Sequence, residues 1–66
     1  MVATDKLRGV IAERGFSQRQ VAKMLGIAEK TFYLKMKNRV FTTDEAFRMA
    51  KILRIEKPEE IFLAGE

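Results

Sequence analysis

The sequence predicts an all-α fold, five short helices packed on one hydrophobic core. Three observations predict it. Apolar residues recur three and four positions apart in successive segments, the period of one helix face. Capping residues and glycines bracket those segments, marking where helices start and stop. No segment qualifies as a strand candidate.

The elements follow in order. Thr4 is placed to cap a first helix carrying Leu7, Val10, Ile11 and Arg14, and Gly15 offers the left-handed exit that a side chain resists. Ser17 caps the second helix, whose apolar face is Val21, Ala22 and Leu25, and Gly26 ends it in the same way. After Gly26-Ile27-Ala28 the pattern restarts with Phe32 and Met36 four apart. So short a connection makes the second and third helices cross steeply. Asn38-Arg39-Val40-Phe41 reads as a loop, because Thr42-Thr43-Asp44-Glu45 is a capping box that opens a fourth helix. Ala46, Phe47, Ala50 and Leu53 mark its apolar stripe, with Arg48, Lys51 and Arg54 pointing elsewhere. Pro58 at a first helical position, with Glu59 and Glu60 behind it, opens a short fifth helix holding Ile61 and Phe62.

Sixty-six residues fit one domain, 1–66, with no internal repeat, low-complexity tract or linker. A domain of this size buries only about 60% of its unfolded surface, so its stability is modest. Cysteine and histidine are both absent. That removes disulfides, thiolate and imidazole metal sites, and the commonest nucleophile and general base. The acidic pairs Asp44-Glu45 and Glu59-Glu60 sit in first turns, where they stabilise helix dipoles and point about 100° apart. No Gly-rich phosphate loop or nucleophile elbow is present, so no enzyme, cofactor, metal or small-molecule ligand is expected. The stretch Met1 to Lys6 lacks a signal-peptide core, and no segment approaches the ~20 apolar residues needed to span a bilayer. A cytoplasmic location without membrane association is expected.

The net charge of +4 is unevenly spread. Residues 1–40 hold nine Lys or Arg against three Asp or Glu, and residues 41–66 hold four against six. A basic face is implied. It serves either solubility or a polyanion partner, whose displaced counterions would make binding depend on salt.

One stretch, roughly Ser17 to Lys37, carries a sharper signal. Counting Gln18 as first, apolar residues fall fourth (Val21), eighth (Leu25), tenth (Ile27) and fifteenth (Phe32), with Ala22 fifth and Gly26 ninth. The small residue lets the next helix cross closely, and glycine accepts positive φ without a Cβ penalty. Two helices locked this way push the second outward, the arrangement by which a helix-turn-helix reads double-stranded DNA. An ordinary helical hairpin is the bland alternative.

Through Phe16-Ser17-Gln18-Arg19-Gln20-Val21-Ala22-Lys23-Met24-Leu25-Gly26-Ile27 and Lys30-Thr31-Phe32, the chain resembles the Cro/CI-type (XRE-like) repressor domains. Asn38 to Phe41, the segment Thr42 to Leu53, and Ile55 to Phe62 look like the rest of that compact five-helix, lambda-repressor-like fold, especially its short phage and prophage versions. The resemblance implies a small transcriptional regulator, a repressor by type. Lys35 departs from the family, in which its position is often apolar, and Met36 takes the core role instead.

At 100° per residue, Phe32 and Met36 set the buried side of the third helix. The opposite side presents Lys30, Leu34 and Lys37, flanked by Tyr33 and Asn38. Lys30 and Lys37 suit guanine edges or phosphates, and Leu34 suits a thymine methyl or else pads the core or a dimer contact. Tyr33 serves either DNA contact or packing, and Glu29 either accepts from cytosine N4 or stabilises the helix start. The resemblance makes Gln18 a phosphate contact, supported by the N–H groups at the start of its helix, beside Ser17. Arg19, Lys23, Asn38, Arg39, Thr42 and Thr43 are the remaining phosphate candidates, with solvated surface charge as the plain alternative for each cation.

A lone helix-turn-helix reads few base pairs, so a homodimer, at least on DNA, is expected on half-sites about 34 Å apart. By resemblance its contact lies in the fifth helix and the following Leu63-Ala64-Gly65-Glu66. Phe62 and Leu63 are the candidates, with closure of the core as the competing role. The principal rival is a protein-interaction module, an antitoxin or anti-repressor on the same fold. RNA binding ranks below both, because only Tyr33 offers an outward aromatic platform.

Overall fold

A computed structural model describes residues 1–63, so Ala64, Gly65 and Glu66 lie outside the described residues. Among these the chain is entirely helical: α1 (Thr4–Glu13), α2 (Gln18–Leu25), α3 (Glu29–Asn38), α4 (Thr43–Ile52) and α5 (Glu59–Phe62). Helix α2 packs on α3 and α4, while α1 braces α2 and α5. The core joins Leu7 and Ile11 of α1, Val21, Ala22 and Leu25 of α2, and Phe32 and Met36 of α3. Met49 and Leu53 from the α4 segment and Ile61 and Phe62 of α5 complete it. Phe41 tilts against Phe32 with ring centroids 5.6 Å apart, tying the loop after α3 to that core.

Both expected caps form. The Ser17 hydroxyl accepts from the Gln20 N–H at 3.1 Å and the Gln20 side chain accepts from the Ser17 N–H at 2.8 Å. Thr42 and Glu45 repeat the exchange at the same two distances. Each box satisfies donors that a helix start leaves unpaired.

The first four helices all end with one pair of hydrogen bonds, the Schellman arrangement. The N–H groups of Gly15 and Phe16 donate to Ala12 and Ile11, and those of Gly26 and Ile27 to Lys23 and Ala22. Arg39 and Val40 donate to Met36 and Lys35, and Arg54 and Ile55 to Lys51 and Ala50. The turn residue takes positive φ each time, at 82° and 76° for the two glycines and 58° and 53° for the two arginines. Phe16, Ile27 and Ile55, which follow three of these turns, pack against the core.

Three expectations are corrected. Thr4 is the first residue of α1, buried and not a side-chain cap; Ala3 holds that position. Pro58 caps α5 rather than opening it. In α4 the inward residue is Met49, fully buried, while Phe47 is 60% exposed. Met49 lies four residues before Leu53, whereas Phe47 lies six before it, on another face of a helix with 3.6 residues per turn. Phe62 belongs to the core at 9% exposure, the role that competes with a dimer contact.

The segment before α1 also has a structural part. The Val2 N–H donates to the Arg39 carbonyl at 3.2 Å and the Ala3 N–H to Ile61 at 2.7 Å, so this segment bridges the exit of α3 and α5. Two arginines clamp distant helix ends, where carbonyls attract positive charge. Arg14 donates to the Leu53 carbonyl at 2.8 Å, and Arg48 to Met24 and Leu25, both at 3.2 Å.

Candidate nucleic-acid interface

Burial of Phe32 and Met36 orients α3 so that Lys30, Tyr33, Leu34, Lys37 and Asn38 are all exposed. Leu34, 49% exposed, stands between the two lysines on the outward stripe and is excluded from the core. Water-facing leucine needs no explanation alone. Here it sits on the face that the core geometry turns outward.

Two ion pairs join this helix to its neighbours from opposite flanks. Arg19 of α2 approaches the Glu29 carboxylate at 3.8 Å, bringing the starts of α2 and α3 together. Lys35 meets Glu45 of α4 at 3.1 Å, bringing the later part of α3 to the start of α4. Three groups of candidates are thereby assembled: Ser17, Gln18 and Arg19 at one helix start, the stripe of α3, and Thr42 and Thr43 at another helix start.

Within the groups, roles differ. Ser17 and Thr42 commit their side-chain oxygens to capping, leaving the N–H groups of Gln18, Arg19, Thr43 and Asp44 without partners inside their helices. Such groups, at the positive end of a helix dipole, suit phosphate oxygens. Gln18 is half-buried, and Thr43 exposed. Lys23, Lys30, Lys37 and Arg39 are exposed and make no ion pair among the described residues, so their charge is available. Arg39 also donates to the Met1 sulfur at 3.7 Å and lends its carbonyl to Val2.

Glu29 is the one acid of α3, on the flank of its buried edge. It accepts from the Tyr33 hydroxyl at 3.0 Å, one turn away. That hydrogen bond, with the negative charge behind it, holds the phenol protonated above its usual range. Tyr33 itself is 48% exposed.

Glu45 has the opposite shift. Burial favours its neutral form, but the Thr42 N–H and the Lys35 ammonium outweigh burial and hold the carboxyl below the usual glutamate range. Sequence reasoning placed Glu45 in a capping box and missed its partner, since ten residues and a loop separate it from Lys35. The sole available signal was a lysine where the apolar pattern of α3 leaves a flank.

Beside the start of α4, an open groove is lined by Phe41, Ala46, Phe47, Leu63, Thr42 and Thr43. Phe47 and Leu63 are 60% and 53% exposed. The sequence points to Leu63 for such a surface and to Phe47 for the core. No helix among the described residues is long and apolar enough to cross a membrane.

Residues 6–63 match the profile of the Cro/C1-type helix-turn-helix DNA-binding domain. Comparisons with curated proteins and with solved structures return no match.

Proposed function

Since the chain belongs to the Cro/C1-type helix-turn-helix DNA-binding family, we propose that it is a small transcriptional regulator that binds an operator as a homodimer and represses by occupancy. Each α3 enters the major groove of one half-site. Lys30 and Lys37 donate to guanine edges or adjoining phosphates, Leu34 lies against a thymine methyl, and Glu29 and Tyr33 refine the choice of base. The starts of α2 and α4 grip the backbone through Gln18, Arg19 and Thr43, while Lys23, Asn38 and Arg39 add phosphate contacts. A regulator of this kind acts in the cytoplasm and performs no catalysis.

The observation that carries this reading is the outward stripe of α3 set between two helix starts with unpaired N–H groups. Base reading and backbone anchoring need those two features side by side.

A second copy is supported by scale and by the apolar groove. The domain measures 28 × 22 × 19 Å, somewhat less than the ~34 Å between half-sites. Two copies on one face of a duplex are thus close neighbours, and exposed Phe47 and Leu63 are the candidates for a contact between them.

Selection of bound sequences from a random duplex pool at near-physiological salt tests the reading. A palindromic winner preferred over scrambled DNA by about 10³-fold or more is the expected result. Uniform, salt-sensitive binding would overturn sequence-specific regulation. Sedimentation showing a monomer both free and on the selected operator would overturn the dimer.

A further inference from the structure

We propose that Lys35 is a positioning residue for base reading: its ion pair with Glu45 sets the roll of α3 against the start of α4 and withholds the lysine's charge from the DNA backbone. The inference rests on the DNA-binding reading and adds a residue outside the outward stripe.

The geometry assigns Lys35 a place that neither core nor stripe explains. Taking Phe32 as 0° on a helical projection, Met36 lies at about 40°, Lys35 at about −60°, and Glu29 and Tyr33 at about 60° and 100°. Ion pairs therefore hold α3 on both flanks of its buried edge, Glu29 to α2 and Lys35 to α4. The two are unequal. Side chains of the Arg19–Glu29 pair are 82% and 42% exposed at 3.8 Å, whereas those of Lys35–Glu45 are 26% and 12% exposed at 3.1 Å. Solvent screens the first far more than the second. Side-chain tips lie about 6 Å from a helix axis, so a roll of about 20° would move Lys35 by about 2 Å and break the contact. That roll would also carry Lys30, Leu34 and Lys37 off the bases they face.

Glu45 does not need Lys35 for its local task. Its Oε1 already accepts from the Thr42 N–H at 2.8 Å, a role glutamine fills equally well. The negative charge is what Lys35 uses. Because the same oxygen closes the α4 capping box, the reading helix and a candidate phosphate anchor are fixed to one carboxylate.

The test compares the wild type with Glu45→Gln, Lys35→Met and the double variant. Each is titrated on the selected operator and on scrambled duplex across a range of salt, with thermal melting to confirm folding. Glu45→Gln keeps the cap and releases the lysine. Affinity for scrambled DNA should rise, and the slope of log affinity against log salt should steepen by about 0.9, one added phosphate contact. Preference for the operator should fall about tenfold, the scale of one misplaced base contact. Lys35→Met keeps the apolar stem and should lower preference by a similar factor without steepening the slope. The double variant should restore the wild-type slope. Unchanged preference and slope in folded Glu45→Gln and Lys35→Met would overturn the proposal. Wild type that selects no operator would instead overturn the DNA-reading role on which it rests.

Discussion

The Tyr33 hydroxyl donates to the Glu29 carboxylate at 3.0 Å across one turn of α3, and Arg19 of α2 flanks the same carboxylate. The acid is thus held by one hydrogen bond and flanked by one cation. Glu29→Gln should tighten binding to scrambled duplex and relax the preference at one base pair, as read by repeating the sequence selection. Unaltered preference at every position would remove Glu29 from base reading.

Glu45 gives the domain a defined acid sensitivity. Its carboxyl is held below the usual range in the folded state, so the folded state releases the proton more readily than the unfolded chain. The resulting stability is fully present above the ordinary glutamate value of about 4.3 and is lost as pH falls through the lowered folded value. Denaturant titrations below pH 5 should show a weaker acid decline for Glu45→Gln than for the wild type. Parallel declines would mean that the Lys35 and Thr42 contacts do not favour the charged form.

On the outward stripe, Lys30→Ala and Lys37→Ala should each cost about 1–3 kcal/mol of operator binding if they reach guanine edges. Lys23→Ala should weaken all duplexes alike and lower the salt slope by about 0.9. Isotherms at several salt concentrations separate the two patterns. Silent lysine variants with an intact fold would favour a protein partner for this face.

Helix α4 buries Met49 and exposes Phe47. Met49→Ala removes a fully buried side chain and should cost about 2–5 kcal/mol in chemical unfolding. Phe47→Ser alters a side chain 60% exposed, whose contacts include Lys51 at 4.8 Å over the ring. Its monomer stability should stay within about 0.5 kcal/mol, while sedimentation on operator DNA should show weaker dimerisation. Equal loss of stability in both variants would contradict the assigned faces.

Arg54 sits at φ 53° after α4, a conformation that disfavours any residue with a Cβ by about 1–2 kcal/mol. Glycine avoids that strain and gives back part of the gain as chain entropy. Arg54→Gly should therefore stabilise the domain by about 0.5–1 kcal/mol, seen as a melting temperature several degrees higher. A lower melting temperature would show that the arginine side chain contributes more than its backbone strain costs.

Much of the fold was legible because its signals are local. Ser17 with Gln20, Thr42 with Glu45, and the glycines at 15 and 26 act within a few residues of themselves, so their spacing alone marks helix ends. Phe32 and Met36 likewise define the inward side of α3 by period, and its outward stripe follows by subtraction. Other features depend on partners far along the chain. Arg39 and Arg54 take the left-handed conformation that Gly15 and Gly26 take in the other two turns, which their residue type does not announce. The same holds for the Arg48 clamp on α2 and for Lys35 against Glu45: their energies arise between groups that the sequence separates and the fold makes neighbours.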